Sequence, residues 1–261
     1  LNNLLNINTV PSRGKRIIRA GSNYGRPWTR DGSLNSLCAA SLLAPEVAQN
    51  TLWFITQDNR VAGQWWDRPI WIIAAWEHFK ITGNAGFLSR AYACAKNTLS
   101  FHEAQYYNAE YGLFRGLSHL CDGIAGYPCP PAPAEPRKSS FAGDYTGVDE
   151  LLPASIQAIY YGAYRAASAM AEKLGKARSE VDGYQSKALR LKIQADQHLW
   201  AAEHHRYGHF VHGTGSKAGI LETHQEGAGL AFSLWFGLAD DAKAKTMMSH
   251  FHNQPYGMTC V

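Results

Sequence analysis

The residues best equipped for chemistry lie in Tyr24-Gly25-Arg26-Pro27-Trp28-Thr29-Arg30-Asp31-Gly32, where a polar, aromatic loop runs into an apolar helical pattern. An indole, a guanidinium and a carboxylate delivered together give a flat apolar face beside rigid hydrogen-bonding groups. Binding a sugar ring requires that combination. The same residue types recur in Gln64-Trp65-Trp66-Asp67-Arg68-Pro69. On this reading Tyr24, Trp28 and Trp66 stack on sugar faces while Arg30, Gln64 and Arg68 bind hydroxyls. Asp31 and Asp67 also carry a second reading, because each sits where the positive end of a helix dipole favours a carboxylate.

Composition narrows the classes. A chain of 261 residues, 46% hydrophobic and 18% charged, is expected to form one large domain over 1–261, with no linker to divide it. No apolar run approaches the roughly 20 residues of a membrane span, and a net charge of +4 from scattered Lys and Arg marks no nucleic-acid surface. Eight Trp and thirteen Tyr, many in loops beside Gly and Asp, point to stacking surfaces for a polar ligand. No basic, apolar leader is visible from Leu1, so a targeting peptide is expected to be removed or never present, and the compartment stays open. His204, His205, His209, His212 and His224 lack metal-ligand spacing, and neither a metal site nor a cofactor is expected. Cys38 and Cys94 fall in helical apolar stripes, and Cys121 with Cys129 is one candidate pairing that sequence alone leaves open.

The elements that must position these groups read as helix pairs. Residues 1–23 form a loop or extended lead-in. From Asp31, the positions Leu34, Leu37, Cys38, Ser41 and Leu42 repeat at helical spacing until Pro45 opens a partner helix carrying Val47, Leu52, Trp53 and Ile55. Pro69 opens the next pair, through Ile70, Ile73, Ala74, Trp76 and Phe79 to Thr82-Gly83-Asn84, then from Phe87 to about Tyr107. Trp53 and Trp76, spaced among Ile and Phe, read as core. A long loop, 109–149, has an ordered first half and a mobile second half over 132–140. A third pair spans 151–174 and 179–202; residues 204–219 read as a short hairpin or irregular loop; a fourth pair begins near Glu226 and turns at Ala239-Asp240-Asp241. With few strand signals and no βαβ alternation, the class is all-α.

The loops make a more specific likeness. Trp28-Thr29-Arg30-Asp31, Gln64-Trp65-Trp66-Asp67, Leu120 to Pro128 around Asp122, and Leu234 to Ala239 followed by Pro255-Tyr256-Gly257-Met258 resemble, in order and spacing, the six-hairpin, (α/α)6-barrel glycoside hydrolases. The branch is that of trehalase, the processing α-glucosidase I family and amylo-α-1,6-glucosidase-like proteins. The resemblance implies a helical toroid of which this chain holds about four of six hairpins, so that the chain is a fragment or another chain completes the ring. It also implies an inverting, exo-acting hydrolase of α-linked, gluco-configured oligosaccharides, with Trp28, Arg30, Asp31, Trp66 and Asp67 shaping the terminal-sugar subsite. By the same resemblance Asp122 is the general acid and the base lies beyond the point corresponding to Val261.

Such chemistry needs one protonated and one ionised carboxyl group. Ile124, Tyr127 and Phe114 are placed in sequence to desolvate Asp122 and raise its pKa, although Asp122-Gly123 also reads as a turn. Tyr127 is also a candidate substrate contact. Within the chain the base candidates are Glu226, Glu222 and Asp149; Glu226, before Gly227 at a helix start, also reads as a dipole complement, and Asp149 with Glu150 as helix caps. Two other functions stay open: a non-catalytic carbohydrate-binding or assembly subunit, and a phosphorylase or lyase on the same scaffold.

Overall fold

The structure, a computed structural model, describes residues 8–127, 140–255 and 257–258. The mobility expected over 132–140 therefore falls, but for Ser140, outside the described residues, as do Cys129, Tyr256 and Cys260. Cys38 and Cys94 carry free thiols. The α-helices among the described residues are α1 (Thr29–Asn35), α2 (Ser41–Leu43), α3 (Pro45–Phe54), α4 (Arg68–Thr82), α5 (Ala85–Gln105), α6 (Ala154–Lys173), α7 (Arg178–His198), α8 (Gly227–Trp235) and α9 (Asp241–His250). Left-handed glycines at Gly83 and Gly175 separate α4 from α5 and α6 from α7, and Asp240 caps α9 by accepting from the Lys243 amide at 2.9 Å. The strands are short: β1 (Thr9–Ser12), β2 (Lys15–Ile18), β3 (Thr56–Gln57), β4 (Arg60–Val61), β5 (Tyr107–Asn108), β6 (Leu113–Phe114), β7 (Leu151–Pro153), β8 (Trp200–Ala201), β9 (Arg206–Tyr207), β10 (Phe210–His212) and β11 (Leu221–Glu222), with a last pair at Asn253–Gln254 and Gly257–Met258. Among the described residues no helix is long and apolar enough to cross a membrane.

Two compact units divide the chain, Leu1–Glu103 with Ala163–Gln185, and Ala104–Gly162 with Ser186–Val261. In the first, the expected irregular lead-in is a β1–β2 hairpin in the register Thr9↔Ile18 to Ser12↔Lys15. Its two-residue turn, Arg13-Gly14, has positive φ at both positions, the geometry whose twist matches antiparallel strands. The helical run 29–43 also departs from expectation. Its buried side is Gly32, Ser33, Ser36, Ala40 and Ser41, whereas Leu42 is 71% exposed and Cys38 is exposed. Small side chains win the inward face because α1 packs closely on α3 and α4; a Cβ on Gly32 would stand 3.1 Å from Thr51 Cγ2. The run bulges through a π-helical segment, Ser36–Ala40. Helix α4 is buried almost all round, from Pro69 to Ala75, and the Trp71 indole donates to Leu52 O at 2.8 Å. Along α5 the expected inward positions Leu88, Tyr92, Ala95 and Leu99 are all buried.

In the second unit, Phe114 stacks on Tyr160 at 3.6 Å between ring centroids. The buried Gln157 amide accepts from Phe114 N at 2.8 Å and donates to Phe114 O at 2.7 Å, replacing a missing strand partner and fixing β6 on α6. Residues 151–153, read in sequence as the start of a helix, form β7. They pair antiparallel with β10, Leu151↔His212 to Pro153↔Phe210, and β10 also pairs with β11. Asp196 on α7 gathers the Tyr207 hydroxyl and, at 2.8 Å, Lys243 Nζ from α9.

Gly63, with φ +89°, offers a direct test of close packing, because an added Cβ would lie 2.2 Å from Thr29 Oγ1; Gly83, at φ +65°, has open space around it. Gly83→Ala is expected to cost roughly 1–2 kcal/mol from backbone strain alone, and Gly63→Ala about 2 kcal/mol more, measured by urea denaturation. Equal losses would show that the contact with Thr29 has no energetic weight.

Candidate functional site

Within the first unit the two loops singled out in sequence come together. The Thr29 hydroxyl at the start of α1 donates to Ala62 O at 2.7 Å, and Gly63 fits against it because it has no side chain. That tie brings Arg30 Nη1 to 3.7 Å from Asp67 Oδ1, with the two side chains only 14% and 4% exposed. Asp67 stands at the N-cap of α4 yet makes no capping hydrogen bond, so its carboxylate is directed to the guanidinium and not spent on the helix. Asp31 lies in the first turn of α1, whose N-cap Trp28 also makes no side-chain cap, and there it complements the helix dipole while remaining half-buried. A screened pair on the surface contributes little; one this enclosed fixes a guanidinium and a carboxylate relative to each other, the arrangement that gives a polar ligand a defined set of donors and acceptors.

The aromatic residues divide. Tyr24 and Trp28 are 50% and 42% exposed and meet edge to face, centroids 6.4 Å apart, with Arg26 over the Trp28 ring at 5.8 Å. They form an open stacking surface. Trp66 does not: it is 5% exposed and packed edge-on against Trp65, which is half-buried and presents the more accessible ring. Sequence could not separate the two neighbours, because a 3₁₀ turn over Trp65–Asp67 turns only one of them inward. Arg68 is likewise taken up, giving Nε and Nη2 to Gly63 O at 3.0 and 2.7 Å, and so secures the loop. Gln64 precedes that turn and is half-buried. Trp53 and Trp76, read in sequence as core, are half-buried at its edge: Trp53 lies on Trp71 and Phe87, and Trp76 stacks on Phe79.

The second unit holds the loop of Asp122. Tyr127 is its fastener: its hydroxyl accepts from Ser118 N at 3.0 Å and donates to Cys121 O at 2.9 Å, closing the segment 118–127 on itself. Burial, and next the nearby Cys121 thiol, hold the phenol pKa above its ordinary value, so the donor proton stays in place. Behind it, His209 stacks on the Tyr127 ring at 5.5 Å, meets Ser118 Oγ at 2.6 Å through Nε2, and meets His224 Nε2 at 2.5 Å through Nδ1. Burial and then His224 hold the pKa of His209 far below the usual imidazole value, which makes this a neutral, structural pair. Ala142 N donates to Asp122 O at 2.7 Å, Ile124 N donates to Ser140 O at 2.8 Å, and Gly123 bridges Phe141. The backbone at Asp122 is thus pinned on both sides while its side chain stays half-buried. Tyr127, 3% exposed and with its hydroxyl engaged, holds this loop. Phe114, expected to desolvate Asp122, is committed to Tyr160.

The base candidates are each engaged. Glu226 is 2% exposed and caps α8, accepting from Ala228 N at 2.8 Å and Gly229 N at 2.6 Å, with the Cys121 thiol 3.9 Å away. Burial raises its pKa to about 7 against the lowering effect of those two amides. Glu222 meets His212 at 2.8 Å and Lys217 at 3.8 Å. Asp149 and Glu150, read as caps of the following helix, instead flank Arg115 at 3.8 and 2.8 Å, because β7 intervenes before α6 begins. The Ser118–Tyr127–His209 assembly had no signature in the sequence, since His209 lies far along the chain from the other two and the three share no spacing.

Comparison with known proteins follows the same lines. The family model for the mannosylglycerate hydrolase MGH1-like glycoside hydrolase domain matches residues 45–261. No curated protein sequence matches. Among solved structures, the GH63 mannosylglycerate hydrolase of Thermus thermophilus, in complex with Tris and D-glycerate, is 14% identical with a TM-score of 0.65, over 91% of this chain and 73% of that one. Neutral trehalase from Saccharomyces cerevisiae is 12% identical, TM-score 0.63, over 92% of this chain and 56% of that one. The GH78 rhamnosidase of Bacillus sp. GL1 is 18% identical, TM-score 0.54, over 72% of this chain and 17% of that one. At these identities the likeness shows the fold: all-α, of the (α/α)6 hairpin class expected from the loops. The chain spans less than two thirds of the rhamnosidase and of the trehalase.

Glu226 makes the cap measurable. A carboxyl group whose folded pKa is raised from 4.5 to about 7 binds more protons folded than unfolded across that interval, so its contribution to stability is complete below 4.5 and falls as pH rises through 7. Glu226→Gln is expected to remove a decline on the order of 2–3 kcal/mol between pH 4.5 and pH 7.5, followed by thermal or urea unfolding. An unchanged pH slope in the variant would mean that Glu226 is ionised throughout.

Proposed function

Because the chain belongs to the mannosylglycerate hydrolase MGH1-like glycoside hydrolase domain family, we propose that it is part of an exo-acting glycoside hydrolase that cleaves α-linked sugars with inversion. The observation that carries this reading is the state of Asp122: a carboxyl group on a backbone pinned by hydrogen bonds, with its side chain still half-exposed to a substrate. In the mechanism Asp122 donates its proton to the glycosidic oxygen as the bond to the anomeric carbon breaks, while a second, ionised carboxylate activates the water that attacks the opposite face. Held rigidly, the acid loses no reorganisation energy at the moment of transfer. In the first unit, Arg30 and Asp67 with Asp31 present donors and acceptors to sugar hydroxyls, and Trp28 and Tyr24 give the ring an apolar face.

For the sugar, likeness to trehalase favours a gluco-configured, α-linked oligosaccharide. A second reading, favoured by the family description and the Thermus enzyme, is an α-mannoside of a small hydroxy acid. Glu226, Glu222 and Asp149 are assigned structural roles, the first as the cap of α8 and the others as ion-pair partners. Two rival functions make different forecasts: a non-catalytic binding subunit gives heat on titration with oligosaccharides but no product, and a phosphorylase or lyase gives phosphate dependence or an unsaturated, ultraviolet-absorbing product.

The test is hydrolysis of a panel of α-gluco- and α-manno-disaccharides and mannosylglycerate, read by proton resonance of the first-formed anomer. A β-anomer from an α-linked substrate is the expected product, and Asp122→Asn is expected to lower kcat by roughly 10²–10⁴ with the melting temperature preserved. First formation of the α-anomer would overturn inversion, and near-normal turnover in the variant would remove Asp122 from the reaction.

A further inference from the structure

A cavity of about 350 Å³ opens within the second unit, walled by the segment 146–151, the end of β10 and the glycine-rich run His212-Gly213-Thr214-Gly215-Ser216-Lys217. Its volume is at the lower end of small-molecule sites. The composition of the wall is one-sided. It carries an ammonium group from Lys217, an imidazole from His212 and hydroxyls from Thr146, Thr214 and Ser216, and no carboxylate among the described lining residues. The floor is apolar, formed by Tyr127, Phe210 and Leu151, all buried.

Two features keep this wall in position. Gly213 passes so close to the neighbouring backbone that an added Cβ would fall 2.2 Å from Glu150 O, and Gly215 takes a left-handed φ of +81°. The wall is therefore built from residues that tolerate no larger side chain at one position and strongly favour glycine at the other. Outside the lining, Glu222 accepts from the His212 ring at 2.8 Å and orients it, while standing 3.8 Å from Lys217 Nζ. At that longer distance the ammonium group keeps donors to spare for another acceptor.

We propose that this cavity binds a small hydroxylated anion, a polyol or sugar bearing a carboxylate or a phosphate ester, with its charge at Lys217 and its hydroxyls against Thr146, Thr214 and Ser216. Complementary charge fixes the orientation, and the apolar floor takes the carbon skeleton. The cavity borders the Asp122 loop through Tyr127, which fastens that loop, and none of its other lining residues has a part in the hydrolytic reading.

Calorimetric titration of the whole chain at low salt with gluconate, glucose 6-phosphate and glucose tests it, because none of the three has a glycosidic bond to be cleaved. At least one of the anions is expected to bind ten or more times more tightly than glucose, and the tighter of the two identifies the anionic group. Lys217→Ala is expected to weaken that binding at least tenfold. Ser216→Trp, at an exposed position on the rim, is expected to abolish it with the melting temperature unchanged. Equal affinity for glucose, no binding of either anion, or binding indifferent to both substitutions would overturn the proposal.

Discussion

The chemistry of the second unit depends on one buried phenol. Tyr127 fastens Ser118 to Cys121 through a single oxygen, and every other feature of that loop rests on the closure. An exposed hydroxyl would exchange freely with water, so the fastening holds because the ring is 3% exposed and backed by the neutral His209–His224 pair. A protonated His209 would place a buried charge beside the ring, and burial prevents it. The outcome is a loop whose backbone cannot shift while Asp122, at its centre, still reaches solvent.

The first unit solves the same problem by different means. Its fastener is steric and local: a glycine with positive φ, Gly63, lies against Thr29, whose hydroxyl reaches the carbonyl one residue earlier. Arg68 adds two hydrogen bonds to the Gly63 carbonyl. The small residues on the buried side of the 29–43 run belong to the same solution, since close approach of α1 to α4 brings the Arg30 and Asp67 loops together. Larger side chains on that side would separate α1 from α4 and part the ion pair.

Much of this was legible in the sequence, for reasons that can be stated. Helices α3 and α4 announce themselves through Pro45, the Arg68-Pro69 start and Gly83, and α5 through an apolar period that its buried positions follow. The convergence of the Arg30 and Asp67 loops was implied by the family resemblance that their motifs carry. The run 29–43 was misread because apolar periodicity identifies the buried side of a helix only when large residues fill it; here glycine, serine and alanine do. The β1–β2 hairpin was missed because its turn, Arg13-Gly14, carries only one residue that favours positive φ. Among the site residues, Trp66 and Arg68 were read as ligand contacts because side-chain type says nothing about which neighbour a 3₁₀ turn buries, or about a carbonyl five residues away. For Glu226, both readings were visible, and the two short amide contacts are those of the cap.

The central claim is that Asp122 delivers a proton to a departing oxygen. A leaving group that needs no proton should be indifferent to its loss, which makes a glycosyl fluoride the most direct probe. The account predicts that Asp122→Asn loses about 100-fold less kcat/KM on the α-glycosyl fluoride than on the corresponding disaccharide. Equal losses on the two substrates would contradict it, and would make Asp122 a residue that positions or binds the sugar.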